Sequence, residues 1–241
     1  VLAAGDFELV RISLALGMFA AAAFFDLRNR SISDILWVGF GVAAGIIYIF
    51  DFPSSYSEGT LTIISIALAS GVSYAIYRSG LFGGADMLAL VTFAALVPLY
   101  NYGPLLDTEG VTMSFHPFAP LIVLTNAVMF SVVQILGNVV RNLSQRGRLF
   151  EGLQHEPASK KLLAIMVGHR SRNPKYAFSI ERIINGRREF DFGIKPAETA
   201  QYETRNDVWV TSATPFLIFL AAGFLAMILF GDILAVLFNS L

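Results

Sequence analysis

Two aspartates are the residues best placed to do chemistry in this chain. Asp26 ends the first apolar run, inside Phe24-Phe25-Asp26-Leu27-Arg28-Asn29-Arg30, and Asp86 opens a later one, inside Gly80-Leu81-Phe82-Gly83-Gly84-Ala85-Asp86-Met87-Leu88. An ionisable group at the edge of an apolar segment is costly, and the cost marks it as functional. Two carboxylates that converge cannot both ionise cheaply, so the pair holds one acid and one base at the same moment. The base takes a proton from water, the water attacks a carbonyl, and the acid protonates the developing oxyanion or the leaving amine. Neither a metal nor a cofactor is needed for that reaction. A helix dipole favours negative charge at the N-terminus that Asp86 would occupy and disfavours it at the C-terminus that Asp26 would occupy. Asp86 is therefore the candidate base and Asp26 the candidate acid, with Arg28 and Arg30 close enough in sequence to move that balance.

Other chemistries find little support. The chain has no cysteine, which removes disulfides, thiolate nucleophiles and cysteine-ligated zinc. His155-Glu156 is followed by Pro157-Ala158-Ser159, so the zinc-protease pattern of two histidines around a glutamate is missing. Gly83-Gly84 lacks the Lys-Ser/Thr of a phosphate-binding loop. The three histidines, His116, His155 and His169, fall outside the expected spans, away from any serine nucleophile within them.

The elements that must position the aspartates are membrane helices. Of 241 residues, 55% are hydrophobic and 15% charged, and the mean hydropathy is +0.63, beyond the range of soluble domains. Apolar runs near the roughly 20 residues needed to cross a ~30 Å core fall at 9–27, 33–50, 60–78, 86–102, 118–140 and 212–231. The pattern predicts an α-helical integral membrane protein with six transmembrane helices and a small cytoplasmic α+β domain between helices 5 and 6. Its expected domains are a membrane domain over 1–140, the cytoplasmic domain over 141–210 and the sixth helix within 211–241.

Charge sets the orientation. Sixteen of the seventeen basic residues follow the first, third or fifth run, thirteen of them between Arg141 and Arg205, whereas the opposite loops carry Asp51, Glu58, Asp107 and Glu109. The positive-inside rule places both termini outside, residues 141–211 in the cytoplasm, and Asp26 and Asp86 at the same cytoplasmic face of a cell membrane crossed several times. Arg11 is the exception, expected to snorkel at a helix end. The basic cytoplasmic surface follows from topology alone, so no nucleic-acid partner is expected. The first run lacks a basic leader and a small-residue cleavage site, so no cleavable signal peptide is expected in it, and Val1 in place of Met suggests a trimmed N-terminus.

Local signals add detail. Ser31-Ile32-Ser33-Asp34 reads as a capping box, with Ser31 as cap and Asp34 reaching back. The third run carries small residues, Ser65 through Ser73, suited to close helix packing. Pro98 is expected inside the fourth helix. Asn126, Gln134 and Asn138 share one face of the fifth and are expected to make interhelical hydrogen bonds. Beyond it, Leu162–Val167 has strand length, and Phe178–Ile184, Asn185-Gly186 and Arg187–Phe192 read as a hairpin with a type I′ turn.

These residues resemble the archaeal preflagellin and type IV prepilin peptidases, membrane aspartic proteases of the Gly-x-Gly-Asp class. Asp26-Leu27-Arg28-Asn29-Arg30-Ser31-Ile32 is similar to that family's first catalytic motif, and Gly83-Gly84-Ala85-Asp86 to its second, with Ala85 in place of a glycine. The resemblance implies catalysis by Asp26 and Asp86, with Gly83, Gly84, Ala85, Arg28 and Arg30 as motif or substrate-positioning residues and no metal or cofactor. It also implies a partner: a preflagellin, prepilin or similar precursor whose short basic class III type leader is cut at the cytoplasmic face of the lipid bilayer. A small transporter or channel using Asp26 and Asp86 as a proton or cation site is the competing class.

Overall fold

The computed structural model describes residues 4–53, 55–101, 105, 114–144, 149–193, 201–212 and 216–239. The chain forms two compact units, Val1–Phe130 with Pro215–Leu241, and Ser131–Thr214. The first contains α1 (Ala4–Asn29), α2 (Asp34–Phe50), α3 (Tyr56–Arg78), α4 (Gly84–Leu96), the start of α5 (Ala119–Ser144), α7 (Phe216–Phe230) and α8 (Ile233–Asn239). The second contains the end of α5, then α6 (Ala158–Val167) and strands β1 (His169–Ser171), β2 (Ala177–Ser179), β3 (Glu181–Ile184), β4 (Arg187–Phe190) and β5 (Val208–Ser212).

The protein is mostly helical, with a small sheet-bearing region toward its C-terminal part. Apolar helices occupy all six expected places, but among the described residues only α1 from Phe7, α3 and α5 are long and apolar enough to cross a membrane. The pair α7 and α8, bent by 52°, would make a fourth span if counted as one. At 17 and 13 residues, α2 and α4 rise only about 25 and 20 Å, less than a ~30 Å hydrocarbon core. The outer-loop acids Asp107 and Glu109 lie outside the described residues.

Several helix ends differ from the sequence expectation. Ser33, not Ser31, caps α2, its hydroxyl accepting the Ile35 N–H at 3.4 Å, and Asp34 is the first helical residue. The fourth helix stops at Leu96 because Pro98 drives the preceding Val97 out of the helical region, to φ −131° and ψ 79°. The Pro98 carbonyl thus freed accepts from the Ser65 hydroxyl at 2.6 Å and the Ala119 N–H at 3.2 Å. Arg11 does not snorkel. Its side chain is 11% exposed, donates to the Leu96 carbonyl at 3.1 Å and the Asp51 carboxylate at 3.4 Å, and lies 4.5 Å over the Tyr48 ring.

As expected, the asparagines of α5 make hydrogen bonds between helices. Asn126, fully buried, donates to the Gly231 carbonyl at 3.0 Å and accepts the Ile233 N–H at 3.2 Å, serving backbone groups freed where α7 breaks into α8, and donates also to the Gly223 carbonyl within α7 at 3.4 Å. Asp232, also buried, caps α8 by accepting the Ala235 N–H at 3.2 Å.

In the second unit, the hairpin forms as expected between β3 and β4, with Asn185 and Gly186 at φ 49° and 77°, as a type I′ turn requires. Leu162–Val167 is helical, not extended: Pro157 starts α6, and the Ala-Ser-Lys-Lys that follows favours a helix. β2 leaves the hairpin to join a separate antiparallel sheet of order β1-β5-β2. Trp209 of β5, fully buried, stacks on Phe150 at 5.4 Å and meets Phe190 edge-on at 5.5 Å. Glu181, 3% exposed, is satisfied by a two-point bond from Arg188 at 3.0 and 2.8 Å and by the Trp209 N–H at 3.2 Å.

Burial, reinforced by the charge of Arg141, pushes His169 down from 6.5 to about 4. The folded unit therefore keeps this imidazole neutral while the unfolded chain takes a proton near pH 6.5, so the unfolded state binds more protons and stability falls as pH is lowered. Glu203, held down at about 2 first by its hydrogen bond from Arg205, loses its contribution only below about pH 4.5. Among the shifted groups of the second unit, the window from 6.5 to 4.5 thus isolates His169. In a Trp37→Phe background, Trp209 emission should report a denaturation midpoint that falls across this window, and the fall should vanish in His169→Gln. Equal slopes in the two proteins would refute the assignment.

Candidate active site

The helix ends that carry Asp26 and Asp86 are held by an aromatic cluster two turns away. Phe19 of α1, Phe93 of α4 and Phe224 of α7 are buried together, with ring centroids 5.4 Å apart for Phe19 and Phe93, 5.5 Å for Phe19 and Phe224, and 5.0 Å for Phe93 and Phe224. Asp26 follows Phe19 by seven residues and Asp86 precedes Phe93 by seven. Seven residues are two turns, which return a side chain to nearly the same helix face about 10.5 Å along the axis. For α1 and α4 running in opposite directions, both offsets point to one end of the bundle. The Asp26 charge accordingly reaches the Asp86 carboxylate, and the Arg30 charge reaches Asp26. Both aspartates are partly buried.

The loop before Asp86 is defined by backbone bonds. α3 ends with Gly80 at φ 80°, the Gly80 N–H bonding the Tyr77 carbonyl at 2.9 Å and the Leu81 N–H the Ile76 carbonyl at 3.3 Å, which is a Schellman stop. Phe82 is 5% exposed and packs its ring 4.9 Å from Phe216 of α7, anchoring the turn. Gly83 then caps α4, its N–H donating to Asp86 Oδ2 at 2.9 Å. Gly83 lies at φ −75°, open to any residue, so the turn at this position does not depend on glycine's freedom. A Cβ there would instead stand 3.4 Å from the Asp86 carboxylate. Gly84 is the first helical residue, and Ala85 packs partly buried against the core.

On α1, Arg30 carries a feature that sequence reading missed. It takes φ 55°, a left-handed conformation usually left to glycine, while its N–H closes the helix on the Asp26 carbonyl at 3.0 Å. No side-chain signal announces this, because arginine has no preference for that region. Arg28 is exposed, its guanidinium 6.0 Å over the Phe24 ring. A cavity of about 320 Å³ beside Arg11, Tyr48, Asp51 and Glu58 lies toward the opposite ends of these helices. Among the described residues no group of three or more His, Asp or Glu is arranged to hold a metal.

These observations define a helical membrane protein with two carboxylates at adjoining helix ends. Residues 13–135 match the type IV leader peptidase family, and residues 163–233 match the archaeal peptidase A24 C-terminus, type II. The chain is 25% identical over 240 residues to the preflagellin peptidase of Methanocaldococcus jannaschii, covering 94% of this chain and 95% of that protein. It is 26% identical over 231 residues to the preflagellin peptidase of Methanococcus maripaludis, covering 90% and 93%, and 23% identical over 233 residues to that of Methanococcus voltae, covering 92% and 96%. The chain belongs to the type IV leader peptidase family. Its activity is leader-removing proteolysis, and none of the comparisons supports transport.

Proposed function

We propose that this chain is an aspartic endopeptidase that cuts the short basic leader from preflagellin-like precursors, with Asp26 and Asp86 as its catalytic pair. The observation that carries this reading is the return of both carboxylates, each two turns from the shared Phe19 and Phe93 contact, to one end of the first unit. The preflagellin peptidases of three methanogens align along nearly the full chain, which supports the substrate class. The Gly83 N–H occupies Asp86 Oδ2 and leaves Oδ1 to take a proton from water. The water oxygen then bonds to the scissile carbonyl carbon while the Asp26 proton passes to the carbonyl oxygen. In the collapse, Asp86 gives the proton it took to the amine nitrogen, the C–N bond breaks, and Asp26 recovers a proton from a hydroxyl of the tetrahedral species, leaving a carboxylic acid and the amine. The missing side chain at Gly83 leaves open the approach to Asp86.

In this reading α1 to α5 and α7 are six spans, both termini face outward, and residues 141–211 are cytoplasmic, where a basic leader lies. The membrane domain is 1–140, the cytoplasmic domain 141–210, and the last span falls within 211–241. The test is direct: membranes containing the chain are mixed with a preflagellin, and the product is followed on a gel and by mass spectrometry. A shortened product beginning just after the basic leader is expected, and an unchanged precursor would overturn the proposal.

Arg30 has a positioning role here, holding its charge beside Asp26 at the expense of a left-handed backbone. That conformation costs a side-chain-bearing residue about 1–2 kcal/mol. Arg30→Gly should therefore raise stability by up to about 1 kcal/mol while slowing processing and shifting its pH profile, and Arg30→Lys should restore the profile in part. A glycine variant that is both more stable and fully active, with an unmoved profile, would remove Arg30 from the site.

A further inference from the structure

α6 carries an apolar face that the protein does not cover. Its lysines stand at the surface with partners already in place: Lys160, its side chain 42% exposed, pairs with Glu156 at 3.0 Å, and Lys161 donates to the Gln154 carbonyl at 2.7 Å with its ammonium 5.7 Å from the Phe150 ring. Its apolar residues turn outward, with Leu162 61%, Leu163 41% and Met166 38% exposed. An apolar helix face left open in this way needs a partner.

The end of α5 identifies it. Asn138 donates to the Met166 carbonyl at 3.2 Å, and Asn142 to the carbonyls of Ile165 and Gly168 at 3.0 and 2.7 Å. These are carbonyls at the C-terminus of α6, which lack partners within their own helix, so α6 is pinned along the last two turns of α5. α5 is itself long and apolar enough to cross a membrane. Its 26 residues rise about 39 Å against a ~30 Å core, so its last turns emerge at the boundary between acyl chains and headgroups. Along those turns Leu136, Val140 and Leu143 are 60%, 64% and 72% exposed, spaced as a single stripe.

We infer that α6 is an in-plane membrane helix, with Leu162, Leu163 and Met166 seated in the lipid at the acyl boundary, at the level where α5 emerges from the core. Such a helix lies in the interface with its apolar face buried a few ångströms below the headgroups. With the lysines already engaged, the attachment is apolar, so it should depend little on salt or on anionic lipid. This inference rests on α5 as a membrane span and is independent of which residues are catalytic.

Because the chain has no native cysteine, single-cysteine labelling reads it cleanly. Spin labels at Leu162→Cys, Leu163→Cys and Met166→Cys in the full chain, reconstituted in phosphatidylcholine bilayers, are compared with a label at Arg187→Cys in the exposed hairpin turn. The three α6 labels should collide more often with dissolved oxygen and severalfold less often with an aqueous nickel complex than the Arg187 label does, with no change on adding salt. Nickel access equal to that at Arg187 would overturn the inference. So would protection from both agents at low protein-to-lipid ratio, which would mean that protein covers this face. All three side chains are exposed, so the substitutions leave the packing around Trp209 intact, and its emission checks this.

Discussion

Asp26→Asn and Asp86→Asn should each slow leader removal by roughly 10²–10⁴-fold, the range for loss of a general acid or base. The substitutions are informative because they keep shape and hydrogen-bonding capacity. Asparagine at 86 can still accept the Gly83 N–H that now ends on Oδ2 at 2.9 Å, so the cap of α4 survives and a loss of rate cannot be traced to a frayed helix. Asparagine at 26 leaves untouched the backbone carbonyl that Arg30 caps. Asp34→Asn serves as the control. Asp34 is exposed on the first turn of α2 and should tolerate the change with processing near that of the native chain. If the aspartates share one proton, the double variant should be hardly slower than either single one, because each loss already disables the unit. The measurement is the rate at which a co-expressed preflagellin shortens in membranes. Undiminished cleavage by either single variant would remove that aspartate from the proposed pair.

The apolar runs and the positions of the acids at their ends were legible because both are one-dimensional signals. The type I′ hairpin was legible too, since Asn185-Gly186 can hardly adopt another turn between two strands. What escaped depended on the third dimension or on windows too short to decide. Leu162–Val167 reads equally as strand or helix over six residues, and only the Pro157 start before it tips the balance. The seven-residue spacings from Phe19 to Asp26 and from Asp86 to Phe93 stand in the sequence, but they carry meaning only once Phe19 and Phe93 are known to touch. Arg11 looked like a residue reaching for water because its partners, Leu96 and Asp51, come from other helices. The strained Arg30 left no trace at all, as an arginine outside its preferred backbone region is indistinguishable by letter from one within it.

Gly223→Leu should be the most damaging packing substitution in the first unit, and Gly223→Ala should already destabilise it by about 1–3 kcal/mol, as overpacking does. The small residues of α3 pack closely as sequence reading expects, with Ser65, Ala69 and Ser73 fully buried, although Gly71 there has nothing within 4 Å of where a Cβ would stand. A backbone-to-backbone approach at a glycine is made by α7. A Cβ on Gly223 would stand 2.5 Å from the Val123 carbonyl oxygen and 2.8 Å from the Ala127 nitrogen of α5. Those atoms are backbone, so no rotamer change can make room and the helices must separate. Separation would also pull Asn126 away from the Gly223 and Gly231 carbonyls it serves, leaving buried polar groups unpaired. The next residue of α7 is Phe224, which completes the cluster with Phe19 and Phe93, and its first turn carries Phe216 against Phe82. A shift of α7 would thus be felt at both supports of the aspartate pair, and processing should fall together with stability. Unfolding midpoints in detergent, read beside the processing rate, check this, with Gly71→Ala as the reference expected to be neutral or slightly stabilising. A Gly223→Leu protein as stable and active as the native chain would show that α5 and α7 are not in backbone contact, and the support assigned to α7 would go with it.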